Sequence, residues 1–190
     1  MLRRGGAILA LHVVLSVILA LQAAMAGAAE DFSVDVDRSD AGFRVSASAT
    51  VAASAPTVWE VLTDYANLPR FIPGLASSMV HLRAGGRVLL EQKGEARFFV
   101  FSYPIDVRLE IMESPHDWIT SRGVGGNLRR MSGRYELQAS GAGIVLRYSG
   151  ELEPDFDLPP LIGTLAVRTM VEEQFAAMVA EIERRAGLAK

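Results

Sequence analysis

The chain has 190 residues, no cysteine and a formal net charge of −3 at pH 7, and half of its residues are apolar. This length suits one domain with a sizeable core. Without cysteine, disulfides, thiolate metal sites and cysteine nucleophiles are excluded. The slightly acidic balance also argues against a nucleic-acid partner, which requires a basic face.

The N-terminal segment has the pattern of a secretory signal peptide. Two arginines precede an apolar run over residues 7–21, and small residues follow it, with A-x-A sites ending at Ala26 and Ala28. The run is shorter than the ~20 residues that span a bilayer. We predict that residues 1–28 are a cleaved leader, that residues 29–190 form one domain, and that the protein is exported to a periplasm. A retained N-terminal anchor is the alternative.

Two strands and two short helices are predicted next. Apolar and polar residues alternate over 43–51, which predicts a half-buried strand, and a turn at 39–42 would pair it with the preceding segment. Ser54 then offers an N-cap to a short helix. Two prolines interrupt the pattern that follows, so a second short helix or turn is predicted over 66–72.

The rest of the chain reads as a meander followed by one long helix. Over residues 77–152, strand-like segments are separated by the turn signals AGGR, SPHD, VGGN and SGAG, which predicts antiparallel pairing. From Pro160 to about Arg185 an apolar stripe recurs at helical spacing. The stripe consists of Val167, Val171, Phe175, Met178 and Ile182. The order predicts an α+β fold in which a curved sheet of about six or seven strands surrounds the C-terminal helix.

Three stretches carry a resemblance to a known family. They are VWEVLTDYANLPRFIPGLASS, GGNLRRMSGRYEL, and the closing LPPLIG with VRTMVEEQFAAMVAEIERR. Together they resemble the START-like, helix-grip superfamily, and most closely its polyketide cyclase/dehydrase or coenzyme Q-binding branch. The resemblance covers about residues 46–185 and implies a helix-grip fold with a cavity for lipids, quinones, sterols or polyketides, which most members bind without chemistry.

The resemblance also implies a cavity mouth. It places the segment after the first helix at the opening, so Phe71, Ile72 and Leu75 are predicted to form part of its wall and lid. The alternative is that these three residues close one end of a solid core, since apolar residues near a helix end usually serve packing.

Alternation along the strands supplies further candidate ligand contacts. Phe99, Phe101 and Tyr103 share one face of their strand, and Tyr135 and Tyr148 could offer hydroxyls from later strands. Ordinary core packing would explain the three rings of the first strand equally well.

Three residues of the C-terminal helix complete the predicted ligand site. Val171 and Phe175 belong to the apolar stripe, and Arg168 lies at nearly the same helical angle as Phe175. Facing a hollow, this cation would orient a carboxylate, a phosphate or a quinone oxygen. The alternative is an ion pair with Glu172, four residues on.

The sequence contains no established catalytic or metal-binding motif. No His, Asp or Glu pair has metal-ligand spacing, GxSxG and HExxH are absent, and GVGGN is typical of a hairpin turn. We therefore expect no catalytic residue, metal or cofactor. The predicted function is a periplasmic carrier of a hydrophobic small molecule (lipid, quinone or isoprenoid-like) that makes transient contact with a membrane. The sequence does not predict an oligomeric state. The alternatives are a secreted polyketide cyclase or dehydratase-like enzyme and a non-catalytic protein or membrane interaction module.

Overall fold

One antiparallel sheet forms the body of the computed structural model, which describes residues 30–39, 42–98, 101–141, 143–155 and 160–187. The predicted leader lies outside these ranges. In chain order the strands are β1 (Glu30–Ser39), β2 (Gly42–Val51), β3 (Leu75–Ala84), β4 (Arg87–Phe98), β5 (Phe101–Ser114), β6 (Trp118–Gly126), β7 (Leu128–Ser140) and β8 (Gly143–Pro154). Their spatial order is β1-β2-β8-β7-β6-β5-β4-β3, so the first hairpin joins the last strand and β1 and β3 form the edges.

Within the described ranges, three helices accompany the sheet. Helix α1 (Ala55–Leu62) begins at Ser54, whose Oγ accepts from the Thr57 backbone N–H at 3.3 Å. A 3₁₀ helix (Tyr65–Arg70) follows and contains Pro69, and α2 (Pro160–Arg185) closes the fold. No helix in the described ranges has the length and apolar character needed to cross a membrane.

The predicted α+β helix-grip architecture is confirmed, with eight strands where we expected six or seven. Strand β1 pairs with β2 through the predicted turn at 39–42, along nearly its whole length, from Ser33 opposite Ser48 to Ser39 opposite Gly42. Its sequence alternates Val34 and Val36 with acidic residues, so it has one dry face and can serve as an edge strand.

The core is solid at one end of the sheet. Along β2 the residues at odd positions from Phe43 to Val51 are all buried, as the alternation predicted. Leu146 on β8, Val58 and Val61 on α1 and Ile182 on α2 have no exposed surface. This end of the sheet is therefore closed by α1 and the C-terminal half of α2, and any space for a ligand lies nearer the start of α2.

Candidate functional site

A cavity of about 280 Å³ lies between the inner face of the sheet and α2. Most of its wall is apolar, contributed by the seven strands β2 to β8, by α1 and the 3₁₀ helix, and by α2. Central wall residues include Leu62, Leu68, Leu90, Val107, Ile119 and Met178. Among the described residues no charged side chain is buried, so the interior of this cavity offers a ligand a dry surface.

One row across the inner face of the sheet is built from small residues. Ser121 on β6 stands opposite Gly133 on β7, and Gly133 stands opposite Gly150 on β8. The row is flanked by Ile111 on β5 and Val45 on β2. Two glycines and a serine leave a gap over this row that a large side chain from a neighbouring row can enter.

Two tyrosines form the closed end of this gap. Tyr135 and Tyr148 are paired across β7 and β8, with ring centroids 4.8 Å apart. The Tyr148 ring lies over the two glycines: a Cβ at Gly133 would stand 2.8 Å from Tyr148 Oη, and one at Gly150 only 2.5 Å. Any larger residue at either position would push the phenol away, so the glycines fix where the hydroxyl lies.

Both phenols stay protonated at physiological pH. Burial raises the pKa of Tyr148 to about 12, and burial together with Tyr148 raises the pKa of Tyr135 further. Neither hydroxyl hydrogen-bonds another described residue. Each can therefore donate a hydrogen bond to a guest in the cavity.

The segment after the 3₁₀ helix, the predicted mouth, lines the cavity with Ile72, Gly74 and Leu75. Gly74 has φ +77°, and its carbonyl comes so close to β4 that a Cβ at Gly94 would lie 2.1 Å from it. The Glu95 backbone N–H donates to the Gly74 carbonyl at 2.8 Å. From α2, Gln174 Nε2 donates to the Pro73 carbonyl at 3.2 Å. The segment is thus attached to both β4 and α2.

Two further contacts position the 3₁₀ helix behind the mouth. The buried Tyr65 donates from its hydroxyl to Glu113 Oε1 at 2.8 Å, which attaches the helix to β5. Arg185, near the end of α2, donates to Asp64 Oδ2 at 2.8 Å and has its guanidinium 6.0 Å from the centre of the Phe71 ring. The helix is therefore fixed against both layers of the fold.

Six of the eleven predicted ligand-site residues line the cavity. They are Ile72, Leu75, Tyr135, Tyr148, Val171 and Phe175. Phe71 packs against the core beneath the Arg185 guanidinium and does not line the cavity. Tyr103 does not line the cavity either. Phe99 and the side chain of Phe101 lie outside the described residues.

Arg168 does not face the cavity. It is exposed, and its Nε donates to Glu172 Oε1 at 2.8 Å, which is the alternative given for it above. The reason is that the first turns of α2 pack against β2, where Val167 clusters with Phe43 and Val45. Arg168, the residue after Val167, consequently points away from the sheet. Phe175 has nearly the same helical angle but lies farther along α2, where that side of the helix is buried.

Several residues in or beside the cavity wall were missed by sequence analysis. Ser121, Gly133 and Gly150 all have the inward parity of their strands, but only the strand register shows that they form one row. Gln174 gave no signal, because a polar residue on an amphipathic helix is ordinary. Within the described ranges no group of three or more His, Cys, Asp or Glu side chains could hold a metal ion.

The comparisons with known proteins agree with this geometry. A family model described as polyketide cyclase / dehydrase and lipid transport matches residues 42–187. The chain belongs to this family. No curated protein sequence matches it.

Solved structures share the fold at low sequence identity. A STAR-related lipid transfer protein from Xanthomonas axonopodis matches with a TM-score of 0.65 at 17% identity, over 83% of this chain and 97% of that one. The Zhui aromatase/cyclase from Streptomyces sp. R1128 matches with a TM-score of 0.63 at 20% identity, over 75% and 94%. A START superfamily protein from Mycobacterium smegmatis matches with a TM-score of 0.61 at 18% identity, over 76% of this chain and 97% of that one. At such identities the likeness shows the fold alone.

Proposed function

We propose that this family member binds a hydrophobic small molecule (a lipid, quinone or isoprenoid-like compound) in the cavity beneath α2 and carries it across a periplasm. The observation that supports this most directly is the cavity of about 280 Å³ with an apolar wall and only a few polar groups. Each Å² of apolar ligand surface buried there contributes ~25 cal/mol. The N-terminal sequence supports export, and a lipid crossing an aqueous compartment requires such a shield.

The cavity favours binding over catalysis. A cyclase or dehydratase would need an acid or base held within reach of the substrate. The charged residues nearest the cavity are Lys93, Glu95 and Glu151 at its rim. Lys93 is about half exposed and pairs with Glu91 and Asp106, and Glu95 bonds Arg97 and Ser102. Lys93 and Glu95 are thus already engaged with neighbouring polar or charged side chains.

One purification tests both parts of the proposal. The full chain is expressed in a bacterial host, recovered from the periplasmic fraction and examined by native mass spectrometry, followed by solvent extraction. We expect the mass of a chain beginning after Ala26 or Ala28 and a stoichiometric adduct that extracts as a lipid or quinone. An uncleaved chain would contradict export. A protein that carries no adduct and takes up none from added lipid vesicles would contradict the carrier role.

Releasing the mouth from α2 should accelerate ligand exchange. In Gln174→Ala the hydrogen bond to the Pro73 carbonyl is lost, while the Gly74 contact with β4 remains. One such bond contributes ~0.5–1.5 kcal/mol, so we expect release to become roughly two- to twelvefold faster with a smaller change in affinity. Stopped-flow release of the fluorescent probe N-phenyl-1-naphthylamine measures this. The exposed neighbour Glu173→Ala is the control, and equal rates in both variants would show that the mouth does not gate exchange.

A further inference from the structure

The closed end of the cavity has a different chemistry from its walls. The next inward pair beyond Tyr135 and Tyr148 is Leu137 and Leu146, and Leu146 is fully buried in solid core. The two hydroxyls therefore mark the end of the accessible space. Ser121 Oγ lies in the adjoining row, 3.5 Å from the Gly133 carbonyl oxygen. Three hydroxyl groups are concentrated in one part of an otherwise apolar cavity.

The glycine pair provides the space that the Tyr148 hydroxyl occupies. Inward alanines at Gly133 and Gly150 would each occupy the position where Oη now lies. Both glycines face the cavity side of the tyrosine pair, so the phenol oxygen is directed toward the gap and away from Leu146. Hydroxyls that served only packing would be expected to bond backbone or side-chain acceptors. These two have no such partner among the described residues.

The same surroundings select against a charged guest. The nearest cations at the cavity, such as Lys93, stand at the rim, about half exposed and paired with carboxylates. A carboxylate or phosphate placed between Tyr135 and Tyr148 would lose its hydration without gaining a cationic partner, which is costly. An uncharged oxygen acceptor loses little on entry and receives a hydrogen bond from a neutral phenol.

We propose that the Tyr135–Tyr148 end is a head-group site for an uncharged carbonyl oxygen, of the ketone or quinone type. The ligand enters with this end first, the carbonyl accepts from the tyrosine hydroxyls, and its apolar remainder extends between Leu75 and Val171 toward the mouth. This inference rests on the proposed function, because it specifies which hydrophobic compounds the cavity takes.

The test uses three probes of matched chain length: 2-tridecanone, tridecane and tridecanoate. Each is titrated at pH 8 against N-phenyl-1-naphthylamine bound to the leaderless protein, and then to Tyr148→Phe and Tyr135→Phe. Solubility differences between probes cancel when each variant is compared with wild type for the same probe. Ser149→Ala, which removes an exposed outward hydroxyl on β8, is the matched control.

We expect 2-tridecanone to lose roughly three- to tenfold in affinity in Tyr148→Phe, and tridecane to change by less than about twofold. Tridecanoate should bind wild type at least about tenfold more weakly than the ketone. A ketone affinity unchanged in both tyrosine variants would overturn the head-group site, as would tight binding of tridecanoate. Wild-type protein that binds none of the probes, nor the reporter itself, would instead overturn the proposed function.

Discussion

Val171→Trp is expected to abolish ligand uptake while leaving the fold intact. Val171 lines the cavity from α2, one turn before the buried Phe175, and is itself only partly buried. An indole at this position projects into free volume, so it need not displace a packed neighbour. If it occupies ~100 Å² of the apolar wall, a ligand loses ~2.5 kcal/mol, or roughly seventyfold in affinity.

The measurement combines adduct detection in native mass spectra with titration of N-phenyl-1-naphthylamine. The matched control is Glu173→Trp, which adds the same ring to the exposed side of the same helix turn. We expect the control to retain its ligand and both variants to unfold within about 1.5 kcal/mol of wild type, since small overpacking costs are of this order. A Val171→Trp protein that still carries a full complement of ligand would place the ligand outside this cavity.

The architecture of this chain could be predicted because it follows from local periodicity. Alternation over residues 43–51 predicted one apolar face on that strand, and the stripe through Phe175 and Ile182 predicted one on the C-terminal helix. The structure buries both faces, as expected. Turn signals such as AGGR indicated short connections between consecutive strands. Short connections join antiparallel strands, because parallel pairs need long crossovers. Period-two and 3.6-residue patterns are properties of a short segment, so a single sequence is enough to identify them.

The cavity could not be predicted in the same way, because it depends on register. Ser121, Gly133 and Gly150 are ordinary inward residues of three different strands until the pairing places them in one row. That pairing depends on turn lengths: β7 and β8 pair without a shift from Arg130 opposite Glu153 to Ser140 opposite Gly143, so the turn after Ser140 sets the register. A shift by one residue would turn Gly133 to the outer face. Parity indicated Tyr135 and Tyr148 as candidates but could not show that they meet.

Arg168 and Arg185, both on α2, show a second limit. Helical angle predicted an inward Arg168, but an angle does not indicate which length of a helix the sheet covers. Arg185 gave no signal at all, and yet it joins residues more than 120 positions apart by bonding Asp64 as well as its neighbour Glu181. Long-range polar contacts of this kind leave no periodic trace, so only the structure shows them.

Arg185→Met should be among the more destabilising single changes outside the apolar core. Arg185 donates to Glu181 Oε1 at 2.7 Å, to Asp64 Oδ2 at 2.8 Å and to Glu60 Oε1 at 3.3 Å, with only 18% of its side chain exposed. Methionine preserves the stem but leaves two largely covered carboxylates with fewer partners. Buried pairs cost ~3–5 kcal/mol to break and exposed pairs ~1 or less. We expect a loss of about 2 to 3 kcal/mol in the free energy of unfolding at pH 7, measured by urea denaturation.

Acid should reduce the difference in the free energy of unfolding between wild type and Arg185→Met. Hydrogen bonds from Arg184, opposed by burial and reinforced by Arg185, lower the pKa of Glu181 to about 2. Burial would raise the pKa of Asp64, but bonds from Arg185 and Asn67 lower it overall. Both carboxyls thus have folded pKa values below their unfolded ones. Their stabilisation is complete above about pH 5 and is lost as the pH falls toward 2.

The difference between wild type and Arg185→Met should therefore shrink by roughly half between pH 7 and pH 3. Arg184→Met is the control, because Arg184 bonds the same Glu181 carboxylate at 2.6 Å but is 63% exposed and bonds only within α2. It should cost less than about 1 kcal/mol. Equal losses in the two variants would show that the bonds to Asp64 and Glu60 add nothing. A larger loss in Arg185→Met, together with faster probe release, would show that the same guanidinium stabilises the fold and holds the cavity mouth in place.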